Sequence, residues 1–305
     1  MAESSLRTTL LGVFFGCSAA SLGGMTVALI RFIIQDTDPM SLAALRYGLA
    51  ALTLAGVMIA RSGLPPIQRR DFVALIALSI VMFAGFPFLM ARALEDTTAA
   101  RGAIIFSAVP ISTIVIGSIF RVEQLTGYKI LGVILGVAGA VIAMGERIDT
   151  VAPHALRGDL YMVAAVVCAS TFNVFGKRYL VRYGIMPVSV YCMLLGSAVL
   201  FGIAMFFEAP FSGSLDFDLL GWFVIFLLSV PGGALMMVSW GRALQLISPT
   251  QAAVTVGLNP LVAMTIAYFL LAEPPSARVM IGFLLIFTAI FFANYSPRRR
   301  APAAA

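Results

Sequence analysis

Apolar residues occupy this chain in long unbroken runs, and polar residues fill the short gaps between them. The runs fall at about 10–33, 40–60, 72–94, 99–120, 127–145, 158–180, 187–207, 219–244, 250–271 and 277–294. Each is close to the roughly 20 residues a helix needs to cross a hydrocarbon core of about 30 Å. The gaps hold the helix breakers and charges, as in Gln35-Asp36-Thr37-Asp38-Pro39, Glu95-Asp96-Thr97-Thr98, Glu208-Ala209-Pro210 and Glu273-Pro274-Pro275. Backbone amides in lipid must bond within a helix or a closed barrel, and runs this uniform do not alternate as barrel strands do. The pattern predicts an all-α membrane protein with ten transmembrane helices.

The pattern also repeats. A shift of 150 residues sets Arg92-Ala93-Leu94 on Arg242-Ala243-Leu244, Pro110 on Pro260, Glu123 on Glu273 and Gly132 on Gly282. Earlier positions match at slightly smaller shifts: Gly12 with Gly158, Arg31 with Lys177, and Pro39, Ser41 and Gly48 with Pro187, Ser189 and Gly196. The connector Glu146 to Arg157 separates five runs from five, so the expected units are residues 1–147 and 148–305. Five spans per unit is an odd number, which turns the second unit upside down relative to the first. Two inverted five-helix repeats are an architecture of carriers that rock about a site near the bilayer midplane; duplication retained for stability alone is the other reading.

Composition strengthens the membrane reading, with 61% hydrophobic and 11% charged residues and a mean hydropathy of +1.01. The net charge of +6 comes from basic residues scattered at the ends of apolar runs, so no nucleic-acid surface is expected. Most of them, including Arg7, Arg61, Arg69, Arg70, Lys129, Arg182 and Arg298 to Arg300, fall on one side when the N-terminus is placed inside. The rule that basic loops stay cytoplasmic then puts both termini in the cytoplasm, in the inner (plasma) membrane. Cys17, Cys168 and Cys192 all lie in apolar runs, where a thiol behaves as a small hydrophobe. The first run is too long for the core of a cleaved signal peptide, and the repeat requires it.

Leu45-Arg46-Tyr47, Ala91-Arg92-Ala93-Leu94 leading to Val109-Pro110, and Val122-Glu123 followed by Gly132 and Gly139 give the chain a resemblance to the EamA family of the drug/metabolite transporter superfamily. The resemblance covers both halves. It implies a metabolite exporter or importer whose central cavity is formed mainly by spans one, three and four and their mates six, eight and nine. The chain departs from many relatives in span one, where Ser21-Leu22-Gly23-Gly24 stands in place of a Trp-Gly-Ser/Thr-Asn pattern.

Enzyme chemistry has no visible basis. His154 is the single histidine, no cluster has metal-ligand spacing, and Gly176-Lys177-Arg178 lacks the rest of a phosphate loop. No catalytic residue, metal or cofactor is expected. The expected partners are a small-molecule metabolite and the lipid bilayer, and the glycine pairs Gly12/Gly16 and Gly132/Gly136 suit close helix contact within the chain or in a homodimer.

Pro110 and Pro260 fall mid-span at equivalent positions, where each removes a backbone hydrogen bond. Together with Asn259, Asn173 and Thr26 they are candidate substrate-path residues, and Met90 and Trp240 are candidate contacts or packing residues. The expected activity is secondary export of amino acids or similar small metabolites by alternating access; vitamin or nutrient uptake is the alternative, and an intramembrane enzyme or scaffold the competing class. The inverted repeat also gives each face an equivalent charge set: Arg31, Arg92 and Glu273 outside, Lys177, Arg242 and Glu123 inside. These are candidate gates, and interfacial anchors by the alternative reading.

Overall fold

The computed structural model describes residues 2–33, 37–61, 63, 65–96, 105–144, 155–208, 211, 215–259, 261–262, 265–266 and 277–294, which are helical with no strand among them. The helices are α1 (Ala2–Ile33), α2 (Pro39–Arg61), α3 (69–96), α4 (Val109–Ile119) and α5 (Gly127–Met144) in the first half. In the second half they are α6 (Ala155–Tyr183), α7 (Ile185–Phe207), α8 (219–246), α9 (Pro249–Thr255) and α10 (Ala277–Asn294). Six of them, α1, α2, α3, α6, α7 and α8, are long and apolar enough to cross a membrane. Large apolar side chains such as Val73, Ile119, Leu156, Phe206 and Leu219 remain exposed on the outside, as a lipid-embedded fold requires.

Helices in equivalent places run in opposite directions. Near the start of α2, Ser41 bonds to Glu208 just past the end of α7, and Gly48 faces Ser197 halfway along. In α5, Gly132 abuts Ala293 at the end of α10 while Gly139 abuts Gly282 near its start. Cross-pairs obey the same symmetry: α1 packs on the second part of α8, and α6 packs on the second part of α3.

Small residues make these contacts possible. Helices in lipid gain little from apolar burial against one another, so close backbone approach and shape carry the packing. A Cβ on Gly132 would lie 2.7 Å from Ala293 N and 2.8 Å from Ala289 O, and one on Gly196 would lie 2.8 Å from Ser79 O. Both glycine pairs singled out in the sequence contact this same chain: Gly12 meets Ile247, Gly16 meets Thr255, and Gly136 meets Ala289.

Two irregularities recur at the repeat spacing. A π-helical turn interrupts α3 at Ile80–Gly85 and α8 at Val230–Leu235. The chain also breaks before each candidate proline, with a turn at Ser107–Ala108 ahead of α4 and another at Val256–Gly257 after α9. Pro110 therefore stands in the first turn of a helix, where its missing N–H costs nothing, rather than bending a continuous one. Pro260 lies outside the described residues.

Candidate functional site

The π turns of α3 and α8 lie near the middle of their spans and meet the middle of the bundle. Gly232 and Gly233 let α8 approach its neighbours: a Cβ on Gly232 would lie 2.5 Å from Thr26 Oγ1, and one on Gly233 would lie 2.7 Å from Ala50 Cβ. Thr26 is buried and donates to Leu22 O at 2.9 Å, with Gly232 O at 3.5 Å. Most of its bonding is thus the ordinary return of a threonine hydroxyl to its own helix.

Asn259 packs against the glycine pair of α1, since a Cβ on Gly23 would lie 3.0 Å from Asn259 Nδ2 and 3.1 Å from Oδ1. Its Oδ1 is buried, with no hydrogen-bond partner among the described residues. At the equivalent place in the other half Ser170 Oγ donates to Val109 O at 3.3 Å, one residue before Pro110. Asn173 is buried on α6, and its Oδ1 accepts a 3.1 Å bond from Trp240 Nε1 on α8. An aromatic row runs from beside Asn173 toward α2: Phe172 meets Phe83 edge-on at 5.7 Å, and Phe83 meets Tyr47 edge-on at 5.4 Å. Met90 stands apart from this row, in an apolar cluster with Ala93, Met162, Ala165 and Phe106.

Arg46, of the Leu45-Arg46-Tyr47 motif, lies eight residues beyond Asp38, about 12 Å into α2, and is only 7% exposed. Its guanidinium covers the Tyr47 ring at 4.4 Å and donates to Tyr47 Oη at 2.9 Å, while Nε is buried and unpartnered. The signal available in the sequence was its distance from the nearest connector, well beyond what an end anchor requires.

Of the candidate gate charges, two meet at one end of the bundle. Arg121 takes a left-handed conformation, φ 55°, which turns the chain back so that the Val122 and Glu123 amides both bond to Gly117 O. Glu123 is thereby buried, with Oε1 on Lys129 Nζ at 2.7 Å and Oε2 on both the amide and hydroxyl of Thr250. Ser248 and Gln251 add a capping box, so Glu123 completes the N-terminus of α9, where a carboxylate is favoured. Lys177 donates to Ile247 O in the same loop and is within electrostatic range of Glu123. Arg242 is separate: it is exposed and, among the described residues, donates to Gln245 on its own helix at 3.4 Å.

At the other end Arg92 is half-buried with its guanidinium 5.9 Å from the Phe207 ring. The Arg31 side chain and Glu273 lie outside the described residues. Two contacts here went unnoticed in the sequence. Glu208 accepts from the Met40 and Ser41 amides at 2.8 Å, capping α2 from the end of α7, and Arg157 forms a two-point ion pair with Asp96. Among the described residues, no three His, Cys, Asp or Glu side chains gather to hold a metal.

The profile of the EamA-like transporter family matches residues 10–145 and again residues 156–295. The chain belongs to this family. It is 25% identical over 274 residues to the uncharacterized transporter YyaM of Bacillus subtilis, covering 89% of each chain. A probable terminal-alkyne amino-acid exporter of Streptantibioticus cattleyicolor is 23% identical, over 81% of this chain and 84% of that one. An S-adenosylmethionine uptake transporter of Rickettsia felis is 20% identical, over 75% and 74%. A solved crystal structure that is 20% identical superposes with a TM-score of 0.80, over 92% of this chain and 96% of that chain, and shows the same fold. Family membership together with its several long apolar helices makes the chain a multi-pass membrane protein.

Proposed function

We propose that this EamA-like protein is a secondary transporter that crosses the inner membrane ten times, as two inverted five-helix repeats with both termini in the cytoplasm, and exports amino acids or similar small metabolites. The observation that carries the reading is the antiparallel pairing of equivalent helices, α2 on α7 and α5 on α10, with a π turn in α3 and in α8 and a chain break beside α4 and α9 at equivalent places in the two halves. Irregular backbone at membrane depth is tolerated where it is buried in protein or lines a solute path, and π turns gather at functional sites. Thr26, Asn173, Trp240 and Asn259 are the candidate lining residues of such a path, with Pro110 beside the first break.

Alternating access then has a physical basis. Lys177 and Glu123 hold the loop between α8 and α9 at the cytoplasmic end, and Arg92 with its contacts holds the exterior end. Breaking either set frees one mouth without disturbing the other. An uptake carrier for a nutrient or vitamin is the second reading, favoured by the Rickettsia relative's named uptake activity. Flux assays in proteoliposomes with a broad panel of radiolabelled metabolites, in both directions, test the proposal. Saturable flux of an amino-acid-sized solute is expected, and no flux across the panel from folded protein would end it.

A further inference from the structure

We infer that Arg46 is the anchor for a carboxylate on the transported solute. The inference rests on the transport reading above and adds the chemical class of the substrate. Arg46 is a permanent cation well inside a membrane span, and ionisable residues in that position pair with a partner or mark a solute path. Among the described residues no carboxylate forms an ion pair with it, and its Nε is buried without a hydrogen-bond partner. The neutral Tyr47 hydroxyl takes one of its five donors and none of its charge.

The guanidinium lies in the interior of the bundle, beside the Tyr47 ring. Tyr47, Ala50 and Leu54 turn one face of α2 toward Phe83, Phe172 and Met237, and Arg46 stands at the edge of that face with its guanidinium over the Tyr47 ring. Its own carbonyl lies at the π turn of α8, 3.9 Å from where a Cβ on Gly233 would stand. From Arg46 the row Tyr47, Phe83, Phe172 leads to the Asn173–Trp240 pair. One end of this strip is cationic, its middle is aromatic, and its far end carries an amide already bonded to an indole. A solute with a carboxylate at one end and an apolar body matches it.

The charge count selects a monocarboxylate over a phosphate. A planar guanidinium fork matches a carboxylate in two parallel bonds, and one cation neutralises one anionic charge. A phosphate dianion needs a second cation, and Lys177 and Arg92 lie toward the span ends instead.

The test uses the full-length protein in proteoliposomes preloaded with the matching unlabelled compounds, with counterflow of a panel of radiolabelled L-amino acids and of metabolites without a carboxylate, such as amines, sugars and nucleosides. For the amino acid with the fastest flux, the unlabelled acid, its carboxamide and its decarboxylated amine compete. The acid should compete about tenfold or more better than the other two. Arg46→Gln should raise KM for the acid by about tenfold or more and erase that discrimination, while Arg46→Lys should retain part of it. Equal competition by acid and carboxamide in the wild type would overturn the inference, as would unchanged KM and discrimination in Arg46→Gln. If Arg46→Gln does not fold, the wild-type comparison and Arg46→Lys decide. Flux confined to solutes without a carboxylate would refute Arg46 as anchor while leaving transport standing; no flux for any compound would remove the transport reading itself.

Discussion

Glu123 Oε2 accepts both the amide and the hydroxyl of Thr250, at 3.1 and 3.0 Å, across 127 positions of sequence. One carboxylate thus joins the connector after α4 to the start of α9 while neutralising Lys129. Glu123→Ala should remove the cap and leave Lys129 without its carboxylate, with only the Gln124 carbonyl still in reach, costing about 1–2 kcal/mol. Thermal melting of the purified protein should fall by a few degrees, and Thr250→Val should lose less because Lys129 keeps its partner. Equal melting of wild type and Glu123→Ala would show that the contact contributes nothing.

The two ends of the molecule should respond differently to charge removal. In the proposed orientation, Lys177→Gln releases the Ile247 carbonyl and is expected to increase labelling of single cysteines from the cytoplasmic face, because it weakens only the state closed on that side. Arg92→Gln should increase labelling from the exterior. Arg242→Gln should change neither, since Arg242 is exposed and, among the described residues, donates to its own helix. A shift in accessibility with Arg242→Gln equal to that with Lys177→Gln would return Arg242 to the gate.

Of the two tryptophans, Trp240 bonds Asn173 in the interior while Trp222 is exposed on the outer surface. Solute binding is expected to change the intrinsic fluorescence through Trp240. Trp222→Phe should preserve the response and Trp240→Phe should abolish it. The reverse result would move the solute away from the Asn173–Trp240 pair.

Gly132→Ala drives a methyl group into the backbone of α10 and should destabilise by about 1–3 kcal/mol. Gly56→Ala and Gly202→Ala, where nothing lies within 4 Å, should be neutral or slightly stabilising. Detergent-solubilised melting curves of the three variants distinguish a fitted helix contact from a general dislike of alanine.

The helical architecture and its internal repeat were legible because both follow from local rules: a span needs a long apolar run, and a shift of 150 residues carries Pro110, Glu123 and Gly132 onto matching residues. Asn173 and Asn259 could be singled out in the sequence because an amide is unusual in an apolar span. Arg46 escaped because its significance lies in which helix face it occupies and in the partner it lacks, and a one-dimensional charge pattern records neither. Glu208 escaped because its partners, the Met40 and Ser41 amides, are backbone groups contributed by a helix in the other half. Neither π turn was legible, because an extra residue in a helix leaves no mark in an apolar run; Ile80–Gly85 carries no proline at all.

Those two π turns have a bearing on ancestry. A π turn is a helix with one residue more than its length requires, and it rotates everything after it by about 100° relative to an uninterrupted helix. That rotation lets the first part of α3 face α7 while the second part faces α6. The same surplus residue stands at positions 150 residues apart, so on the proposed two-repeat reading it was already present in the unit that was copied. Deleting Ala84 from the first half alone should leave a straighter helix and a misdirected Phe86–Asp96 segment, and a matching deletion of Ala234 should not repair it, because each half would then present the wrong face to the other.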